Sequence, residues 1–208
     1  MFVVWRLVVY VIFSWSYQKI QAMYYKFRDF RNYKYILDTF LNQRLYSASF
    51  RKLNDNFEGQ FFNDLVFSEL KRYRLDTKKQ EHISICSFSG KYNSHLMWSH
   101  YADGHRGFVI GFEIDESNYK VEKVNYNGLA QLSSFPRKFE DIKPIFLNKI
   151  NDWKYEEEYR IITEKQDYIN IKIREIIFGA ETSNDDKIII TKLAQLVNKE
   201  IKIETFYG

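Results

Sequence analysis

The chain contains little cysteine, proline and glycine, and each scarcity excludes a class of protein. Its 208 residues include one cysteine, two prolines and eight glycines. A single cysteine permits no internal disulfide, so the chain suits a reducing compartment, and we expect a cytoplasmic protein with Cys86 as a small core residue. The sequence contains neither a glycine-rich dinucleotide-binding fingerprint nor a Walker phosphate-binding loop. Zinc-binding Cys-x-x-Cys and His-Glu-x-x-His patterns are missing as well.

The remaining composition is that of a folded protein. Hydrophobic residues make up 45% and aromatic residues 18% of the chain, which is enough for a substantial core. Their number, with so few prolines and glycines, argues against a disordered or linker-rich chain. A net charge of +4 permits contact with phosphate backbones without demonstrating it. We therefore expect one large domain, with or without an appendage.

Residues 1–22 differ from the rest of the chain. They are almost continuously apolar up to Tyr17, but the run is shorter than the ~20 residues of a membrane-spanning helix, and Arg6 interrupts it. A secretory signal would place its charged residue before the apolar core. Three interpretations stay open: a weak membrane anchor, an apolar helix packed on the domain, or translated sequence upstream of a start at Met23. We divide the chain into an apolar arm, 1–22, and a domain, 23–208.

Periodicity in the domain predicts an α+β fold with a curved, mixed β-sheet of six or more strands and helices packed on it. The predicted strands are 32–36, 45–49, 82–89, 107–114, 120–126, a strand containing Glu156, 171–178 and 201–206. The predicted helices are one starting near 37, one over about 61–70, 93–102, 145–152 and 185–198. Residues 128–144 are predicted to be a loop.

Three charged residues alternate near the end of the chain. Glu156, Glu158 and Arg160 are two positions apart, so on a strand they would share one face. Two carboxylates on one face raise each other's pKa, and the guanidinium offsets part of that effect. An ordinary ion pair on a solvated sheet face would show the same pattern.

Several short motifs follow one another in a recognisable order. They are NDNFE at 54–58, CSFS at 86–89, LMWSHYA at 96–102, HRG at 105–107, W-x-x-E-x-E-x-R from Trp153 to Arg160, and IIFG at 176–179. In this order they resemble the bacterial family called domain of unknown function 2971, over about residue 32 to the carboxyl terminus. The family usually has proline where Asn56 stands, so the turn before Phe57 is less rigid here. The resemblance implies no activity.

An aromatic cleft with a late Glu-x-Glu strand is similar, more distantly, to the site of mono-ADP-ribosyltransferases. That resemblance implies NAD as donor and a nucleic-acid or protein substrate. The residues assigned to catalysis are Glu158, Glu156 and His100. The residues assigned to cofactor binding are Tyr33 or Tyr35 (with Lys34 as an alternative) on an early strand, Trp98 and Tyr101 as the aromatic wall, and Arg160. No metal site is predicted, since His95, His100 and His105 lie five apart and helical ligands prefer spacings of three or four.

Two other functions stay open. In a non-catalytic binding module, the tryptophans would be core residues, and a surface of Arg51, Lys52, Lys71, Arg72 and Arg74 would meet an acidic partner or nucleic acid. A metal-dependent nuclease would need the fold to gather Asp55, Glu58, Glu113, Glu156 and Glu158. The fold can discriminate among these functions by whether Glu158, Trp98, His100 and Tyr35 line one cavity.

Overall fold

The computed structural model describes residues 22–63, 71–76 and 78–208. Its strands are β1 (Tyr24–Arg28), β2 (Arg44–Tyr46), β3 (Ala48–Ser49), β4 (Gln60–Asn63), β5 (Lys71–Arg74), β6 (Ile83–Ser89), β7 (Phe108–Glu113), β8 (Glu122–Lys123), β9 (Ala130–Leu132), β10 (Glu158–Glu164), β11 (Tyr168–Asn170), β12 (Lys172–Gly179) and β13 (Lys202–Phe206). Its helices are α1 (Tyr33–Asn42), α2 (His95–Tyr101), α3 (Phe139–Phe146) and α4 (Asn184–Val197), with short 3₁₀ turns at Phe50–Lys52 and Asn151–Glu156. Within the described ranges, no helix is both long and apolar enough to cross a membrane.

A large mixed sheet organises the molecule. Its strand order is β13-β12-β7-β1-β6-β10-β8, and β3 adds to β6. Strands β12 and β13 are parallel, and the other neighbouring pairs are antiparallel. The smaller sheets pair β11 with β2, and β4 with both β5 and β9. The predicted α+β class and the mixed sheet of at least six strands are confirmed.

Apolar side chains on both sides of the sheet form the core. One cluster joins α1 and α4 to strand residues such as Phe108, Ile110 and Ile176, all of them fully buried. A second cluster packs α3 against β4 and β6, and a third packs α2 against β1 and β7. The runs of β-branched and aromatic residues in β6, β7 and β12 explain why these strands were predictable, since such side chains suit strands buried on both faces.

Residues 32–36, predicted as a strand, instead begin α1. The helix buries Ile36, Thr39 and Phe40. These positions are three and four apart, so the helical period outweighs the strand preference of the two tyrosines. Tyr33 and Tyr35 are therefore exposed helix residues rather than early-strand residues. The prediction also missed β1, which lies in the middle of the main sheet.

Other boundaries also differ from the prediction. Where a helix was predicted from Phe61, β4 and β5 form an antiparallel pair, Gln60 opposite Arg74; residues 64–70 lie outside the described part. Only Glu122–Lys123 of the predicted strand 120–126 is a strand. The predicted loop 128–144 contains β9 and most of α3. Helix α3 and a 3₁₀ turn replace the helix predicted at 145–152. The prediction for the amino-terminal arm lies outside the described residues, apart from Ala22.

Candidate functional site

The site lies where the main sheet opens between two central strands. Strands β1 and β6 pair at a single position, Tyr25 opposite Ser89. A cavity of about 300 Å³ lies beside that pair, at the lower end of the size range of small-molecule sites. Its charged lining residues are Lys26, Arg28, Lys52, Asp55, Glu58, Lys149, Glu156, Glu158 and Arg160. We call this cavity the inner chamber.

A buried network of carboxylates and cations forms one part of the inner chamber. The Lys149 ammonium lies 2.6 Å from Glu156 Oε2 and 2.7 Å from Glu158 Oε2. Arg160 donates from Nε to Glu158 Oε1 at 2.7 Å, and its two terminal nitrogens donate to the Glu58 carboxylate. All five side chains are buried. Three carboxyl groups thus share two cations, whose attraction offsets part of the cost of burying charge.

Glu156 reaches this network from a 3₁₀ turn, whereas the sequence predicted that it lies on a strand. Glu158 and Arg160 share one face of β10 as predicted, but Glu156 ends a 3₁₀ turn, and Glu157 connects the two with a left-handed conformation, φ 42°. Ser89 stabilises the turn, since its hydroxyl donates to the Glu156 carbonyl at 2.6 Å. Glu156 therefore joins the network from a turn rather than from the strand.

The surroundings shift the pKa values of Glu156 and Glu158 in opposite directions. Burial would raise the pKa of Glu158, but Arg160 and Lys149 outweigh burial and lower it well below its usual range. Burial and the negative charge of Glu158 raise the pKa of Glu156, against the opposing effect of Lys149. One carboxylate is therefore held ionised beside a second that takes up a proton more readily. Paired carboxyl groups separated in this way are the usual arrangement for acid and base roles.

Helix α2 supplies the aromatic contact to the network. The Tyr101 hydroxyl donates to Glu156 Oε1 at 2.6 Å, and burial followed by the Glu156 charge raises the pKa of Tyr101. Ser94 caps the helix by accepting from the Met97 backbone N–H. Trp98, predicted to form the aromatic wall, is instead fully buried, stacked on Phe206 and His105, and its indole N–H donates to the Tyr92 carbonyl. It is a core residue.

Two cations on β1, Lys26 and Arg28, line the inner chamber, and neither forms an ion pair with a carboxylate among the described residues. The Lys26 ammonium donates to the Ser87 carbonyl, and burial, followed by repulsion from Arg28, lowers the pKa of Lys26 to about 8. In the described part of the chain, the buried Arg28 Nε and Ser87 Oγ have no hydrogen-bond partner. Buried polar atoms are rarely left unsatisfied, so an anion that accepts from them would fit here.

A second cavity of about 380 Å³ adjoins the first, and we call it the outer chamber. The two chambers share Lys26, Phe27, Arg28, Tyr46, Ala48, Asn54 and Tyr101. Tyr35 and His100 line only the outer chamber, and His100 Nδ1 is 2.9 Å from the Tyr155 hydroxyl. Tyr33 lines neither chamber and donates from its hydroxyl to Asp186.

The predicted site residues therefore separate into groups. Glu156, Glu158, Arg160 and Tyr101 meet in the inner chamber, whereas Tyr35 and His100 lie in the outer one. Of the four residues chosen to discriminate among functions, Glu158 alone lines the inner chamber. Sequence reasoning missed Lys26, Arg28 and Lys149. Alternation of Lys26 and Arg28 between apolar residues could have indicated a strand with a charged face; no local pattern marks Lys149.

Four of the five carboxylates named for a nuclease, Asp55, Glu58, Glu156 and Glu158, line the inner chamber, but cations already occupy some of them. Glu58 and Glu158 are bound to Arg160, and Glu113 pairs with Arg174 outside both chambers. Among the residues that the structure describes, no three His, Cys, Asp or Glu side chains are arranged to hold a metal ion. The proposed basic surface is partly formed: Lys71, Arg72 and Arg74 are exposed on β5, and Arg51 is paired with Glu81.

Comparison with known proteins adds one result. No curated protein and no solved structure matches the chain significantly. The segment that does match a family begins in α2 and ends in β10, so it contains Tyr101, Lys149, Glu156, Glu158 and Arg160 and excludes β1. Residues 97–161 match the model of the family described as Protein of unknown function (DUF2971), which supports this family assignment for the segment.

Proposed function

We propose that the protein is an ADP-ribosyltransferase-like enzyme that takes NAD as its donor substrate in the inner chamber. The observation that carries the proposal is the content of one cavity. It holds two cations from β1 that have no carboxylate partner among the described residues, and two buried carboxyl groups near β10 whose pKa values are shifted in opposite directions. An anionic donor with a reacting sugar requires both kinds of group.

The cationic part suits the pyrophosphate of NAD. Arg28 presents a guanidinium whose Nε lacks a partner among the described residues, and Lys26 lies on the same face of β1. A guanidinium binds phosphate oxygens through parallel hydrogen bonds, and an ammonium adds a compact positive charge. Lys26 and Arg28 thus replace Tyr33 and Tyr35 as the early-strand residues that would hold the nucleotide.

The carboxylate part suits the chemistry at the ribose. When the bond from ribose C1 to nicotinamide breaks, its electron pair leaves with nicotinamide, and positive charge develops on the sugar. A carboxylate that stays ionised and is held by hydrogen bonds stabilises that charge, which is the role we assign to Glu158. A nucleophilic group of the acceptor substrate then bonds to C1 and releases a proton, and we assign Glu156 as the base that takes up this proton.

A non-catalytic ligand-binding module is the second candidate. One observation favours it: both oxygens of Glu158 already accept hydrogen bonds from Arg160, and Lys149 lies beside one of them. In such a module the network would hold the chamber open, and Arg28 would bind an anionic ligand that is not turned over.

Two measurements with NAD separate these candidates. Calorimetry measures NAD binding, and release of labelled nicotinamide measures cleavage, for the natural protein and for Arg28→Gln, Glu158→Gln and Glu113→Gln. We expect Arg28→Gln to weaken NAD binding about tenfold, since a hydrogen bond to a charged group contributes about 1.5–3 kcal/mol. Glu158→Gln should bind NAD but cleave it about 100-fold more slowly. Glu113→Gln, which breaks an ion pair outside both chambers, is the matched control and should change neither.

The outcomes have distinct meanings. NAD binding without cleavage by the natural protein would favour the binding module. Lack of NAD binding would overturn the transferase proposal. Circular dichroism of each variant must show a folded protein before its kinetics are compared, because Glu158 is buried with its partners.

A further inference from the structure

We propose that the outer chamber binds an unpaired nucleobase, so that the acceptor of the transferase is a single-stranded nucleic acid. That the nucleic acid is an acceptor rests on the proposed function. That the outer chamber is a binding site rests on the geometry of the chamber. The chamber opens beside the inner one and shares Lys26, Arg28 and Tyr101 with it. A base held there would lie next to the donor site.

Four aromatic residues, Phe27, Tyr35, Tyr46 and Tyr101, line the outer chamber. The rings of Tyr35 and Tyr46 are nearly parallel, with an angle of 17° and centroids 6.1 Å apart. Tyr35 is 52% exposed although it lines a cavity, so much of its surface is free for a ligand. Every nucleobase has a π-face that stacks on such rings, and stacking is the main sequence-tolerant interaction of single-strand binders.

Amide groups in the same chamber suit the edges of a base. Asn32 and Asn54 both line it, and within the described residues neither side chain makes a hydrogen bond to the protein. Side-chain amides both donate and accept, so they match the mixed donor and acceptor pattern of an unpaired base. His100 adds a ring nitrogen on the α2 side.

The charges around the outer chamber favour a phosphate backbone. Its two acidic side chains are already neutralised, since Asp29 pairs with Arg31 and Asp38 pairs with Arg44. Lys26 and Arg28 remain as cations that form no ion pair with a carboxylate in the part of the chain that the structure describes.

Two further lysines extend this positive charge outward. Lys34 adjoins Tyr35 on α1 and is exposed. The Lys52 ammonium lies 5.7 Å from the centre of the Tyr46 ring. Positive charge beside stacking aromatics is the usual arrangement in sites for single strands. A protein acceptor has no comparable requirement for stacked rings and free amides.

Fluorescence anisotropy without NAD tests the binding site directly. The probes are fluorescein-labelled single-stranded RNA and DNA of roughly 12 nucleotides, with a duplex of the same sequence for comparison. We expect both single strands to bind more tightly than the duplex. The double variant Tyr35→Ala/Tyr46→Ala should weaken binding about tenfold or more, because stacking contributes about 1–3 kcal/mol per base. Tyr35→Phe/Tyr46→Phe should restore it, and Tyr207→Ala, at a tyrosine that is 83% exposed, is the matched control.

A second assay, with labelled NAD, distinguishes failure of this inference from failure of the proposed function. The single variant Tyr35→Ala changes a residue that lines the outer chamber but not the inner one, so it should still release nicotinamide in the absence of acceptor but transfer less label to the oligonucleotide. Three results, each accompanied by NAD cleavage, would overturn the inference. They are a lack of oligonucleotide binding, oligonucleotide binding that the Tyr35→Ala/Tyr46→Ala variant retains in full, and transfer of label to an added protein instead of the oligonucleotide. Tyrosine-dependent oligonucleotide binding without NAD cleavage would support the nucleic-acid site and overturn the proposed function.

Discussion

Arg160 and Glu58 form a buried ion pair between residues 102 positions apart in the chain. Arg160 donates from both terminal nitrogens to the two oxygens of the Glu58 carboxylate, with the first contact at 3.0 Å, and both side chains are almost completely buried. This pair ties the loop before β4 to the strand that carries Glu158. The network around the inner chamber is therefore part of the scaffold as well as of the candidate site.

The first prediction concerns the stability that this pair confers. Glu58→Gln replaces one of the two carboxylates bound to Arg160 by a neutral amide, so we expect the free energy of unfolding to fall by about 1.5–3 kcal/mol, the contribution of a hydrogen bond between charged groups. Urea denaturation measures the change. Glu113→Gln removes the carboxylate partner of the part-exposed Arg174 and should cost only about 0.5–1 kcal/mol. Equal costs for the two variants would show that the buried network is not a special source of stability.

The second prediction concerns Lys149. In Lys149→Met, Glu156 and Glu158 lose the ammonium that both contact, and the folded-state pKa of Glu156, already above its ordinary 4.5, rises further. Between the pKa of Glu156 in the unfolded chain and its higher pKa in the folded protein, the folded state binds more protons than the unfolded state. Stability therefore falls as pH rises through this range. We expect the variant to lose more stability at about pH 7.5 than at about pH 5. Urea denaturation at both pH values tests this; a loss independent of pH would contradict it.

The third prediction concerns His105. Burial, and then repulsion from His95, lower the pKa of His105 below its ordinary 6.5, while Glu181 opposes the shift. The unfolded chain therefore takes up this proton first as pH falls, and stability decreases from about pH 6.5 downward until the folded-state pKa is passed. His105→Asn keeps a residue that tolerates the left-handed backbone at φ 66° and should flatten this dependence. The slope of melting temperature against pH between about 7 and 5.5 is the measurement.

The fourth prediction concerns the apolar arm, 1–22. The described core clusters are formed by side chains from Tyr24 onward, and β1 itself begins at Tyr24. A chain starting at Met23 should therefore fold, with a cooperative thermal transition close to that of the full chain. Loss of that transition would show that the arm belongs to the core.

Local patterns predicted a good part of the fold. Strands β6, β7 and β12 were predictable because runs of apolar β-branched and aromatic residues suit the middle of a sheet, and α4 was predictable because its apolar residues recur at helical spacing. The first turn of α1 was wrongly predicted as a strand. The burial of Ile36 and Phe40, rather than the strand preference of tyrosine, decides the conformation of this segment. Strand pairing likewise decides β4, whose local apolar pattern also fits a helix.

By itself, the sequence determined the α+β class, most of the central strands, and the contact between Glu158 and Arg160, because residues two apart on a strand share a face whatever surrounds them. Only the tertiary structure decided what meets that pair. It brings Lys26 and Arg28 from β1, Glu58 from the loop before β4 and Lys149 from the segment after α3 into one chamber, and it buries Trp98 in the core. The physical reason is that strand order in the sheet and the opening between β1 and β6 depend on pairing between distant segments, which no local pattern encodes.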